Sequence, residues 1–202
     1  MASYRLLKID ELSIDDHCYL RSDDVCYYFM EYRPTITDEV KSIIMNFKKS
    51  LDRKMLPDYP YKIKTTNSLA ELLRQNIPEF QQSDTILVPI PPSKSKDHPL
   101  YDSRVYDLLE IFCNGRENSD LRDLISTKGQ LSPSHSAAIR PTPDDIYGNL
   151  ILDKKKCHEK KHKIILFDDV ITTGAHFKAC KKLLKEEFPD SEIIGIFIAR
   201  SV

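Results

Sequence analysis

The stretch from Ile164 to His176 constrains this chain more than any other. It opens with Ile164-Ile165-Leu166-Phe167, continues through Asp168-Asp169-Val170-Ile171, and ends in Thr172-Thr173-Gly174-Ala175-His176. A short apolar run without polar alternation reads as a strand buried on both faces, the kind that sheets covered by helices contain. The pattern predicts a strand over 163–167, a loop over 168–174, a helix over 175–187 and another strand over 192–199. Strand, crossover helix and parallel strand make a right-handed βαβ unit. The fold class is α/β, with a central parallel sheet flanked by helices.

Upstream, residues 1–23 are polar and weakly patterned, and are expected to be a loosely attached leader. Val25 to Tyr32 reads as an aromatic-rich strand that ends at Pro34; its tyrosines Tyr27, Tyr28 and Tyr32 suit core packing. A helix follows, with Thr37 as N-cap, Asp38 and Glu39 in the first turn, and Val40, Ile43, Ile44 and Phe47 at helical spacing. Residues 55–61 read as a loop and 67–75 as a helix with Leu69, Leu72 and Leu73 inward. Residues 85–90 make a short strand among Pro89, Pro91 and Pro92, and 104–112 a further helix. The Gly-, Ser- and Pro-containing excursion from Gly115 to Tyr147 has the character of a functional loop. The organisation expected is a hood-like leader and strand over 1–36, then one α/β domain over 37–202.

Composition narrows the function. A chain of 202 residues, 41% hydrophobic and 30% charged, can bury one ordinary globular core. Its net charge of −1, with both signs interspersed, supplies no global field for nucleic acid, so any phosphate binding must be local. No apolar run has signal-peptide or membrane-spanning length, which sets the expectation of a cytoplasmic protein without membrane contact. The cysteines Cys18, Cys26, Cys113, Cys157 and Cys180 are scattered and read as free thiols.

The chemistry of 164–176 follows from its order. Two carboxylates emerge at the carboxyl end of a buried strand, where open α/β sheets bind ligands. Two threonines and a glycine then lead into a helix, whose first amide hydrogens and positive dipole end suit a phosphate. Glycine lets the backbone approach an oxygen closely, and threonine adds hydroxyl donors. A carboxylate pair beside a phosphate cradle suits the vicinal hydroxyls of a sugar and a nearby Mg²⁺. Simple helix capping by Asp or Thr would need only one such residue.

This segment closely resembles the 5-phosphoribosyl-1-pyrophosphate (PRPP) signature of type I phosphoribosyltransferases. The resemblance implies that Asp168 and Asp169 take the ribose hydroxyls as the catalytic acid pair, associated indirectly with Mg²⁺. It also implies that Ile171, Thr172, Thr173, Gly174, Ala175 and His176 wrap the 5′-phosphate; His176 departs from the usual threonine or serine. Further likeness is to the ComF-like, competence-associated group, in Tyr28 to Tyr32, in Phe47-Lys48-Lys49 and in the segment from Asp84 to Pro91. It continues in Lys128-Gly129-Gln130-Leu131-Ser132, Asn149 and Ala199-Arg200, and so covers about residues 25–202. That group's amino-terminal cysteine-paired zinc module is absent. In the family the loop after the preceding strand holds pyrophosphate, which here implies Ser93, Lys94 and Arg104. Two serines and two lysines near an arginine suit that anion, and equally a solvated basic loop.

The function so implied is transfer of phosphoribose to or from an unidentified nitrogenous base, with PRPP or a nucleotide as partner. A non-catalytic sensor of PRPP or nucleotide, linked to DNA processing, is the alternative, and dimerisation of the chain is a family-level expectation. Other features carry less. The basic stretch 154–163 contains Cys157, His158 and His162 but no second ligand pair at zinc-like spacing. Asp144-Asp145 lacks a preceding strand and reads as solvated. His17, His98 and His135 sit in polar stretches and read as surface residues.

Overall fold

The computed structural model describes residues 4–77, 84–129 and 141–202. Along the chain these form β1 (Leu7–Lys8), β2 (Cys26–Tyr32), α1 (Glu39–Phe47), α2 (Pro60–Asn76), β3 (Thr85–Pro89) and α3 (Arg104–Cys113). Then come β4 (Ile125–Thr127), α4 (Pro143–Asn149), β5 (Leu150–Leu152), β6 (Lys163–Ile171), α5 (Ala175–Glu187) and β7 (Glu192–Ser201).

The chain is α/β, built on a five-stranded sheet in the order β1-β2-β7-β6-β3. β2, β7, β6 and β3 run parallel, but β1 pairs antiparallel with β2, so the sheet is mixed rather than wholly parallel. A two-residue edge strand offers little backbone for unwanted pairing. The other edge is covered as well: Leu87 N donates to Asp120 O at 2.8 Å, and Arg122 N to Leu87 O at 2.9 Å. β4 and β5 form a separate antiparallel pair.

Both sheet faces are dry. On one, Ile44 and Phe47 of α1, Leu69 and Leu73 of α2, and Leu108 and Phe112 of α3 pack with Ile165, Phe167 and Ile196. On the other, Ile146, Leu150, Phe177 and Leu184 pack with Val88, Ile164 and Leu166. Phe177 and Phe197 meet edge to face with centroids 6.2 Å apart. Each such side chain removed from water is worth about 1.5–3 kcal/mol. Because 164–167 is apolar in both directions, greasiness alone would tolerate a one-residue slip of β6; the acids that follow would not, as their partners lie on one side only.

Several local expectations need correction. Asp38, not Thr37, caps α1, its Oδ1 accepting from Lys41 N at 2.7 Å. A carboxylate there answers the helix dipole better than a hydroxyl does. α2 begins at Pro60, inside the segment expected to be a loop, because proline at a first helical position has no amide hydrogen to lose. Part of the 115–147 excursion is regular, contributing β4 and α4. Asp144 and Asp145 are both exposed, as expected, Asp144 pairing with Lys182 and Asp145 completing a capping box with Thr142. Gln130, Leu131, Ser132 and His135 lie outside the described residues.

The leader is anchored to the domain, not loosely attached. Ile9 and Leu20 are in the core, and Asp24, whose side chain is fully buried, binds Lys178 at 2.7 Å and Lys181 at 2.6 Å. Asp16 takes Arg200 at 2.8 Å. His17, expected at the surface, is completely buried. A polar sequence concealed this attachment because it rests on a few ion pairs and two apolar anchors rather than on an amphipathic pattern. Among the described residues no helix is long and apolar enough to cross a membrane.

Candidate functional site

β6 does not end at Phe167 as expected but continues to Ile171, so Asp168 and Asp169 lie within a strand. The extension is held by β7, with Asp168 opposite Phe197, Val170 opposite Ala199 and Ile171 opposite Arg200. Strand geometry sends consecutive side chains to opposite faces, which gives two adjacent aspartates different surroundings.

Asp169 is buried and clamped by cations. Its Oδ1 meets Lys48 Nζ at 2.9 Å, and its Oδ2 accepts from Arg104 Nε at 2.8 Å and Nη2 at 2.7 Å. Burial alone would raise its pKa; Arg104 and then Lys48 outweigh that and hold the carboxyl below its ordinary range. Arg104 also donates to Asp102 at 3.1 Å, and Asp102 receives Lys62 Nζ at 2.8 Å on both oxygens. The result is a chain of alternating charge: Lys48, Asp169, Arg104, Asp102, Lys62.

Asp168 is the opposite case. Its Oδ1 accepts from the Asp169 amide at 2.7 Å, and loss of water, followed by the charge of Asp169, pushes its carboxyl up to about 7. Near neutral pH the pair therefore holds one firmly ionised acid and one that exchanges a proton.

Asp168 lies at the junction of two hollows. One, beneath the β3–α3 connection, is lined by Pro91, Tyr101, Asp102, Arg104, Asp123 and Asp168. The other, at the start of α5, is lined by Asp168, Ile171, Thr172, Gly174, Ala175 and His176. Gly174 precedes α5 in the left-handed region, φ 83°, and no side chain caps the helix from that position. Thr173 Oγ1 reaches the Ala175 amide at 3.4 Å. The first turn of α5 thus presents amide hydrogens without intrahelical partners. Thr172 and His176 are exposed there, and Thr173 is half-buried.

Of the residues expected at the pyrophosphate end, Arg104 is brought to the acid pair. Ser93 and Lys94 are not: Ser93 is exposed, Lys94 half-buried, and neither lines the hollow under that loop. Lys96, in the same loop, forms an ion pair with Asp123. Cys157 packs into the core while His158 and His162 face solvent, which separates the three side chains.

Sequence reading missed Lys62, Asp102, His17 and Leu20 as parts of this region. Lys48 entered only within a likeness of pattern, although a cation just after a helix that packs beneath a strand of acids is a usable signal. The Lys62–Asp102 pair spans 40 residues and left no local trace.

Both oxygens of Asp169 are taken by cations and one of Asp168 by an amide, which leaves one free carboxylate oxygen. Among the described residues no group of three acidic, histidine or cysteine side chains could hold an ion. These residues fit Mg²⁺ only where a ligand's phosphate oxygens and water complete its shell, as Mg²⁺ commonly requires. No protein-family model matches this chain, and no curated protein matches it.

Proposed function

We propose that this chain has a type I phosphoribosyltransferase-like fold of the ComF-like kind and binds PRPP with Mg²⁺, transferring phosphoribose to or from a nitrogenous base. The observation that carries the reading is the position of Asp168, shared by the hollow behind Arg104 and the cleft at the head of α5. A ligand with phosphates at both ends and vicinal hydroxyls between them matches that order of chemistry. The 5′-phosphate would take the amides of 174–176 and the threonine hydroxyls. The ribose hydroxyls would donate to the acid pair, and the pyrophosphate would draw on Arg104, with Ser93 and Lys94 in reach only after the loop rearranges. Bound Mg²⁺ would supply charge neutralisation on the pyrophosphate oxygens.

In the reaction the bond from the anomeric carbon to pyrophosphate breaks and a bond to nitrogen forms, with the nitrogen's proton released. Positive charge on the ring is stabilised by the ionised Asp169 beneath it. Arriving phosphate oxygens would compete with Asp169 for Arg104, freeing carboxylate oxygens as the hydroxyls arrive.

That same clamp favours a second reading. Both cations are held by Asp169, which suits a module that senses PRPP or a nucleotide by exchanging ion pairs and does no chemistry.

The test is calorimetric titration of PRPP with Mg²⁺ into the wild type and an Asp168→Asn/Asp169→Asn variant. Binding that the variant loses supports the site, and pyrophosphate release with candidate bases then separates enzyme from sensor. A folded wild type that binds neither PRPP, ribose 5-phosphate nor nucleotides would sink both readings.

A further inference from the structure

The amino-terminal segment His17–Leu20 lies directly against the loop that precedes α5. His17 Nδ1 bonds the Thr172 carbonyl, and the Tyr19 amide donates to the Thr173 carbonyl at 3.0 Å. Leu20 covers Gly174 so closely that a Cβ there would fall 2.9 Å from the leucine Cδ2. A carbonyl oxygen can only accept, so the proton of the His17 ring resides on Nδ1. Nε2 is then a bare, buried acceptor with no partner in the described structure.

A buried polar atom without a partner destabilises the fold. Asparagine would place an amide N–H near the same position, and an apolar residue would fill the space without a donor. Burial lowers the imidazole's pKa, only partly offset by the bond to Thr172, so the ring stays neutral and the donor stays in place.

The segment is bolted down on both sides. Asp16 holds Arg200 at the end of β7, next to the end of β6. Asp24 holds Lys178 and Lys181 on α5 itself. Consecutive carbonyls at 172 and 173 are therefore fixed by donors anchored to the strand and to the helix that flank the loop.

We infer that residues 17–20 are a built-in strap that fixes the phosphate loop in its binding shape, with His17 as the positioning residue. This rests on the proposed phosphate site and adds to it the part of the chain that keeps it in shape. With their carbonyls tied back, Thr172 and Thr173 leave their hydroxyl hydrogens to the anion, which would take over the Ala175 amide that donates to Thr173 Oγ1. Preorganisation of this kind raises affinity by removing an ordering cost from binding.

The experiment measures the dissociation constant of PRPP with Mg²⁺ for the full chain, His17→Phe and His17→Asn, each well below its melting temperature. His17→Phe keeps bulk and loses the donor; His17→Asn places an amide N–H near the position of Nδ1. The expected result is at least about tenfold weaker binding for His17→Phe, with His17→Asn within about threefold of wild type. If His17→Phe does not fold, Leu20→Ala serves in its place and is expected to weaken binding several-fold. Wild-type affinity in His17→Phe, or equal weakness in both His17 variants, would overturn the strap while leaving the proposed site standing. No PRPP binding by the folded wild type would remove the proposed site and the strap together.

Discussion

Two loops leave the carboxyl ends of neighbouring parallel strands here, and they are held in contrasting ways. Residues 172–174, between β6 and α5, are short and fixed through their own main chain, with the leader supplying donors and Leu20 closing over Gly174. Residues 90–103, between β3 and α3, are long and pinned chiefly through side chains, by Lys96 with Asp123 and by Asp102 with Lys62. Main-chain bonds fix a shape whatever the side chains do. Ion pairs fix it only until a stronger anion arrives. Under the proposed function, the first arrangement would hold the 5′-phosphate and the second the group that leaves.

The contrast can be broken at Asp169, which faces Lys48 at the end of α1 and Arg104 where the second loop enters α3. Asp169→Ala leaves Arg104 and Lys48 without their shared partner, and is expected to cost roughly 3 kcal/mol in chemical denaturation. The β3–α3 connection should become more open to proteolysis than the β6–α5 turn, whose supports are untouched. Equal loss of protection in both would show that the two loops are not independent.

A smaller effect should come from Gly174→Ala, which forces a side chain into φ 83° and against Leu20. The expected loss is about 1–2 kcal/mol from the backbone conformation alone. Adding Leu20→Ala should not recover that part, since it relieves the contact and not the dihedral angle; full recovery in melting experiments would place the strain in the contact.

The gentlest probe is pH. The folded-state pKa of Asp168 is raised to about 7, so the folded chain holds a proton there that the unfolded chain has released. Its contribution is fully present below about pH 4 and is lost as pH rises through about 7, at up to about 1.4 kcal/mol per pH unit. Asp169 has the opposite sign, its stabilisation being lost as pH falls below its ordinary carboxylate range. Between pH 5 and 8 the stability of wild type minus that of Asp168→Asn should therefore fall with rising pH. A flat difference would mean that water reaches Asp168 freely.

Much of the candidate site was legible in the sequence. The apolar run 164–167, the acids after it and the Thr-Thr-Gly turn are consecutive residues, and strand, turn and helix start are local decisions. The same locality made α5 and β7 readable nearly to the residue. What failed depended on neighbours distant in sequence. β6 runs on past Asp168 because β7 pairs with it there, and the leader reads as loose because Asp24, His17 and Leu20 find their partners more than 150 residues away.

The sequence by itself determined an α/β chain whose buried strand delivers two carboxylates and a glycine-led helix start to one end of a sheet. Only the tertiary structure decided that those carboxylates differ, one clamped between Lys48 and Arg104 and the other carrying a proton near neutrality. The physical reason is that a carboxyl's charge state depends on burial and on the charges within a few ångströms of it. Those neighbours come from the ends of α1 and α3, brought together by packing that no single stretch of the chain encodes.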